Sequence, residues 1–296
     1  MTKEHNKSMA KKVLILGAKG NLGTQLVKVF ARSGEVIAWD KEEIDVTDET
    51  LITKKIKDLK PGLIINAVAY NAVDRCEEEA GYELAKKLNS LAPGYLARAA
   101  LAVGAVLVHY STDYVFDGKK RAGYKEDDEP KPINKYGETK RAGEEEVIRL
   151  SGRGLKWYLI RTQKLFGPKG ESEAAKQSFF DLMLKAAQGK AGLEIVNEEV
   201  SCFTYTPDLA MATKKLVESD KGFGIYHLIN PGPATWYQAA VELFRLAGVT
   251  AKVAPVKADK FPRPAKRPKF STLLNTKFEA LRPWKDALAE YLRSRE

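Results

Sequence analysis

Tyr136 and Lys140 stand four residues apart in Tyr136-Gly137-Glu138-Thr139-Lys140, a spacing that puts both side chains on one face of a helix. A phenol with an ordinary pKa near ~10 carries protons poorly at neutral pH, and a nearby ammonium favours its ionised form. Such a pair suits proton transfer to or from a carbinol oxygen. A second cluster, Ser111-Thr112-Asp113, closes the apolar run that begins at Ala105. Ligands bind at the carboxyl ends of strands in open α/β sheets, so a hydroxyl there is placed to hydrogen-bond a substrate carbonyl. The third cluster is Gly17-Ala18-Lys19-Gly20-Asn21-Leu22-Gly23, with glycines at a G-x-x-G-x-x-G spacing. It follows one apolar run (VLILG) and opens an amphipathic stretch, so its backbone amides and the helix N-terminus can receive a pyrophosphate. Asp40 ends the next apolar run, 17 residues after Gly23, where a carboxylate can hold the adenosine ribose hydroxyls. Asp40 disfavours a 2′-phosphate and Lys41 beside it can tolerate one, so the sequence leaves NADH and NADPH both open.

The elements that must position these clusters follow from the pattern. Apolar runs at VLILG, EVIAWD, LIINAVAY (63–70), AVLVHYS (105–111) and LKWYLIRT (155–162) alternate with helical stretches to about Arg32, around 78–103 and around 135–150. Continuous apolar strands separated by helices predict an α/β fold, a doubly wound parallel sheet of the Rossmann-like kind. After Gly167 the strands shorten and Pro becomes more frequent, which predicts a second, smaller substrate-binding region. The expected division is a disordered segment at 1–10, a dinucleotide-binding domain at 11–165, and a mainly substrate-binding domain at 166–296 with segments returning to the first.

Composition removes several classes. The chain has 296 residues, 44% of them hydrophobic, enough for one large or two modest cores. Cys76 and Cys202 are far apart and form no Cys-x-x-Cys, and His5, His109 and His227 form no cluster, so neither a disulfide framework nor a metal site is expected. No apolar run reaches 18 residues and the first ten lack a signal-peptide core, so a cytoplasmic location without membrane contact is expected. The 49 basic against 39 acidic side chains leave a net charge of +10, which raises nucleic acid as a partner. The densest basic cluster, Lys257 to Lys269, is interleaved with Pro and Phe, and the rest are scattered. A scattered positive surface of this kind would steer anionic small molecules toward a cleft, and those, with no nucleic acid, are the expected partners once the Lys257–Lys269 block is matched to a family.

The glycine pattern, the strand-end hydroxyl and the Tyr-x-x-x-Lys pair together resemble the extended short-chain dehydrogenase/reductases. AVAYNAVDRCEEE (67–79), YSTDYVFDG (110–118), NKYGETKRAGE (134–144), RTQKLFGPKG (161–170), GIYHLINPGPATWY (224–237) and FPRPAKRPKFSTL (261–273) are similar, in order, to the dTDP-4-dehydrorhamnose reductase family. The resemblance implies reduction of a 4-keto group on a nucleotide-linked deoxysugar by NADPH or NADH, most simply dTDP-4-dehydro-L-rhamnose to dTDP-L-rhamnose. It implies that Thr112 binds the keto oxygen, Tyr136 delivers the proton, and Lys140 binds the nicotinamide ribose and lowers the Tyr136 pKa. Asp113, Tyr114 and Val115 match the family's substrate-facing stretch. Gly17, Lys19, Gly20, Asn21, Leu22, Gly23, Asp40, Asp45, Val46, Asn66, Ala67 and Ala69 would line the cofactor. Asn89 matches an Asn that orders a relay water in the wider superfamily, or is simply satisfied locally. Sugar-nucleotide 4,6-dehydratases place Glu where this chain has Tyr114, so elimination lacks its base here.

Two departures bear on the substrate. Lys164 stands where the family usually has Trp, and Glu198-Glu199-Val200-Ser201-Cys202-Phe203-Thr204 replaces a segment with Gly and Pro. Lys164 is therefore expected to face the substrate and to leave room for a different nucleotide sugar. A further alternative is a non-catalytic dinucleotide-binding regulatory subunit, resembling that of methionine adenosyltransferase, against which the retained Thr112, Tyr136 and Lys140 argue. A homodimer is compatible with the resemblance.

Overall fold

A computed structural model describes residues 12–173, 175–188 and 192–295. The segment 1–10, expected to be disordered, lies outside the described residues. Six strands, β1 (Lys12–Leu16), β2 (Glu35–Trp39), β3 (Leu63–Asn66), β4 (Val106–Thr112), β5 (Lys156–Thr162) and β9 (Gly224–His227), form one sheet in the order β2-β1-β3-β4-β5-β9. All five neighbouring pairs are parallel. Residues of β1, β3, β4 and β5 alternate between two cores, as the period of a strand requires. Val13, Ile15, Ile65, Val108 and Ile160 face α1 (Asn21–Phe30) and α7 (Thr206–Glu218). Leu14, Leu16, Ile64, Leu107 and Leu159 face the side covered by α2 (Glu49–Leu59), α4 (Ala92–Val103) and α5 (Lys135–Arg149). Each fully buried Leu, Ile or Val contributes about 1.5–3 kcal/mol, so the two cores hold the sheet flat against its helices and fix where its carboxyl edge lies.

The stretch 78–103 reads as one helix in the sequence, but the structure divides it. It runs as α3 (Glu79–Ala85), a π-helical turn over Lys86–Leu91, and α4. The π turn carries Asn89, whose amide is fully used by Tyr70 N–H (2.9 Å), the Tyr70 carbonyl (3.1 Å) and the Thr139 hydroxyl (3.2 Å). Asn89 thus clamps the loop after β3 to α5.

The remaining elements are β6 (Leu165–Phe166), α6 (Phe179–Ala187), β7 (Leu193–Val196), β8 (Thr204–Tyr205), α8 (Trp236–Leu246), β10 (Val253–Val256) and α9 (Trp284–Arg293). They enclose a separate core of Phe166, Phe180, Phe203, Ala240, Trp284 and Tyr291. The chain crosses between the two cores: α7 and β9 return to the large sheet, after which α8 goes back. Two ion pairs tie the crossings. Arg267 makes a bidentate contact with Asp74, with its second bond at 2.7 Å, and Arg282 makes one with Asp208 at 2.8 Å per bond. Both pairs are only partly buried, so each acts mainly through its bidentate geometry.

Candidate active site

The glycine turn sits where the strand order reverses, between β1 and β3, which is where open sheets form a ligand crevice. Gly17 has φ +73°, and a Cβ at Gly23 would collide with the Gly17 carbonyl oxygen, so both glycines are required by the backbone path. Gly20 caps α1 without any side-chain acceptor, and the first turn holds no acidic residue, which leaves an N-terminus fit for phosphate oxygens. Ala67, at the end of β3, packs its backbone 3.0 Å from where a Gly17 Cβ would be. The Asp40 carboxylate is held at the tip of β2 by the N–H groups of Lys19 and Lys41, each at 2.9 Å. The turn, Asp40 and Ala67 thus converge on one crevice suited to a dinucleotide.

Four expected cofactor contacts have other duties. Val46 and Leu22 are buried in the two sheet cores, so they can offer only backbone atoms. Asn66 is 1% exposed; its Nδ2 lies 3.1 Å from His109 Nδ1 and its Oδ1 accepts from Val68 N–H. It shapes the β3 end from within. Asp45 accepts from the N–H and hydroxyl of Thr47, both at 2.8 Å, and so sets the loop before α2.

Tyr136 and Lys140 lie in the first turns of α5, and Thr112 ends β4 beside them. Asn134 caps α5 through Gly137 N–H at 2.8 Å. A side chain at Gly137 would collide with the Tyr114 carbonyl, so glycine lets the helix start press against residues 113–115 and bring Tyr136 to Thr112. The phenol is buried, lies 3.4 Å from Asn71 Oδ1, and faces Tyr114 edge-on with centroids 5.7 Å apart. Burial pushes its pKa above the ordinary value, and the Thr112 hydroxyl, within hydrogen-bonding range, pulls the other way. This corrects the expected lowering by Lys140. The Lys140 ammonium is 2.6 Å from the Tyr110 carbonyl, and burial drives its own pKa down to about 8, opposed by Glu144.

On the substrate side, Tyr114 and Tyr136 form one aromatic corner with Tyr70 and Val73. Asp113 and Val115 do not reach outward as expected. Asp113 is 3% exposed and accepts from Ser271 (2.6 Å), Thr112 (3.1 Å) and Gln163 (3.3 Å), while burial raises its pKa. Val115 is fully buried with Phe116, Tyr124 and Leu273. Lys164 has φ +40° and sits 3.8 Å from the Trp236 ring centroid and 4.9 Å from that of Phe203. Burial lowers its pKa to about 7 against the pull of Asp113 and Glu199.

Several participants were not apparent in the sequence. Asn71 and Arg267 come from a loop and from the carboxyl-terminal region, and only tertiary folding sets them beside Tyr136 and Tyr114. A strap after β6 crosses the glycine turn: Gly170 N–H donates to Asn21 Oδ1 (2.8 Å), Ser172 N–H to the Lys19 carbonyl (2.9 Å), and Asn21 Nδ2 to the Lys176 carbonyl (2.8 Å). Asn21 therefore anchors the strap with its side chain. Among the described residues no group of three or more metal-ligating side chains occurs, and no helix is long and apolar enough to cross a membrane.

A glycine turn at the switch point of a parallel sheet, with Thr, Tyr and Lys gathered at the adjoining strand end, defines a Rossmann-fold oxidoreductase of the short-chain dehydrogenase/reductase type. Residues 11–296 match the family described as RmlD substrate binding domain. The chain belongs to that family. It is 35% identical to the spore coat polysaccharide biosynthesis protein SpsK of Bacillus subtilis, covering 96% of this chain and 98% of that one. Among solved structures, a dTDP-4-dehydrorhamnose reductase from Clostridium acetobutylicum is 39% identical with a TM-score of 0.88, covering 96% of this chain and 99% of the other. The dTDP-4-dehydrorhamnose reductase of Bacillus anthracis, in complex with NADP, is 31% identical with a TM-score of 0.89 over the same shares.

Proposed function

We propose that this chain reduces the 4-keto group of dTDP-4-dehydro-L-rhamnose to give dTDP-L-rhamnose, using NADH or NADPH. The observation that carries this reading is the convergence of Thr112 and Tyr136 at the β4 end, with Lys140 one helical turn further along α5 and the glycine turn in the same crevice. The bound nicotinamide supplies the hydride. Thr112 orients the keto oxygen by turning to it the hydroxyl proton that Asp113 accepts in the resting site, and Tyr136 donates the phenolic proton to that oxygen as it gains charge. A raised phenol pKa suits this direction, because it keeps Tyr136 protonated until the developing alkoxide draws the proton. Lys140 would hold the nicotinamide ribose, and the first-turn amides of Asn21, Leu22 and Gly23 would receive the pyrophosphate, the Gly20 N–H being taken by the Gly17 carbonyl. Tyr114, Tyr136 and Lys164 border the sugar, while Asp113 holds Thr112 from behind.

The test is nicotinamide oxidation by the purified chain with dTDP-4-dehydro-L-rhamnose. Replacing Tyr136 by Phe removes the proton donor and keeps the ring, and loss of such a group slows turnover ~10²–10⁴-fold. An unchanged rate would refute the assigned role. Lys164, in place of a family aromatic, favours a second reading in which the same chemistry serves another nucleotide sugar. Competition among dTDP, UDP and GDP for the site separates the two.

A further inference from the structure

The carboxylate behind the strand-end hydroxyl is held by neutral donors. Asp113 accepts from Ser271 Oγ (2.6 Å) and Gln163 Nε2 (3.3 Å) on one oxygen, and from the Thr112 hydroxyl (3.1 Å) on the other. An ionised group kept from water without a counter-charge is costly, and it opposes further negative charge nearby. That opposition falls on the reaction, because the keto oxygen gains negative charge beside Thr112; the same carboxylate already pushes the Tyr136 pKa up. Lys164 is the cation placed to answer it. It follows Gln163 in the chain and lies half-buried against the faces of Trp236 and Phe203, with Nζ 3.4 Å from the Glu199 carbonyl. Ring faces and a carbonyl hold an ammonium without neutralising it. The carboxylate of Glu199 is engaged elsewhere, by the Arg263 guanidinium and the Trp236 ring N–H (3.0 Å). Asp113 and Lys164 are therefore left as the opposite charges of this cluster, and each favours the ionised form of the other.

We propose that Lys164 is a positioning residue whose ammonium balances the buried Asp113 carboxylate, so that Thr112 can turn its hydroxyl proton from Asp113 to the keto oxygen. The proposal rests on the reductase reading of the site. The Tyr114 N–H holds the Thr112 oxygen at 3.2 Å, so that oxygen stays placed while its proton turns. With Lys164 charged, the pull of Asp113 on that proton weakens, and the pair adds little net field at the keto oxygen. With Lys164 neutral, Asp113 retains the proton and repels the developing charge. Lys164 thus acts on the reaction through Asp113 and Thr112.

The experiment measures kcat and KM of the full chain, of Lys164→Met and of Lys164→Arg with dTDP-4-dehydro-L-rhamnose at pH 6 and at pH 9. Asp113, Glu199 and Cys202 face Lys164 and favour its charge, Arg263 opposes it, and burial prevails to bring its pKa to about 7. Lys164→Met should therefore lower kcat about tenfold at pH 6 with KM little changed, and the gap to the unaltered chain should close at pH 9, where Lys164 is itself neutral. Comparing the proteins at one pH cancels the titration of Lys140, which all of them share. Lys164→Arg stays charged throughout, so it should recover most of the loss at pH 6 and exceed the unaltered chain at pH 9. In an Asp113→Asn background, Lys164→Met should cost little more. A gap of equal size at both pH values, a change in KM alone, or the full loss in the Asp113→Asn background overturns the proposal. No turnover by the unaltered chain overturns the reductase reading instead, and NMR of the Lys164 ε-carbon still judges the pairing. Its titration midpoint should fall by about one pH unit in Asp113→Asn, and an unmoved midpoint refutes the pair. Circular dichroism on each variant separates these results from misfolding.

Discussion

Lys140→Met tests whether the ammonium at the centre of the site is held there against its own solvation. Lys140 is 2% exposed, its single hydrogen bond of 2.6 Å goes to the Tyr110 carbonyl, and burial brings its pKa from 10.5 to about 8. The unfolded chain therefore binds this proton more tightly than the folded one. Below pH 8 both states are protonated and the full penalty opposes folding. Between pH 8 and 10.5 the folded lysine is neutral while the unfolded one is still charged, so stability rises with pH and the penalty disappears above 10.5. The difference of 2.5 pH units corresponds to about 3 kcal/mol. Met keeps the volume and removes the charge, leaving the Tyr110 carbonyl without its donor at a pH-independent cost of about 1 kcal/mol. Urea unfolding of both proteins at pH 7 and at pH 10 should show the unaltered chain gaining roughly 2–3 kcal/mol on the variant over that interval. Parallel stabilities at the two pH values would refute the argument. They would mean that water or Glu144 solvates the ammonium as well as bulk solvent does, and that Lys140 enters the reaction without a strained charge.

Gly23→Ala should abolish nicotinamide binding and destabilise the fold by about 1–3 kcal/mol, because the new methyl group meets the Gly17 carbonyl; calorimetry with the cofactor and a thermal melt read the two effects. Lys164→Met should raise the melting temperature more at pH 6 than at pH 9, since burial lowers that lysine's pKa to about 7 and its charge opposes folding below that value. A gain that is the same at both pH values would place the Lys164 charge in a solvated setting. Arg267→Ala leaves Asp74 without its bidentate partner and should cost about 1–3 kcal/mol in urea unfolding, less in Asp74→Asn/Arg267→Ala than the two single losses summed.

The sequence by itself determined five of the six sheet strands, the glycine turn and the Tyr136–Lys140 pair. Each of these is a local code: apolar runs between helices, glycines where the backbone turns, two side chains one helical turn apart. Asp40 was legible for the same reason, since its distance from the turn is one helix and one strand. What tertiary structure alone decided is which of those side chains are free. Asp113 and Val115 are substrate-facing by their resemblance to the family's stretch, yet Ser271 and Gln163 claim the first and a small apolar core claims the second. The same holds for Asn21, whose amide is taken by a strap more than 140 residues away. The pKa of Tyr136 also escaped the local pattern. Spacing puts a lysine on the same helix face as the phenol, but desolvation depends on every element packed around it, and here burial raises the phenol's pKa. Local spacing fixes what a residue can reach along its own element, and only packing fixes which partners and how much water remain to it.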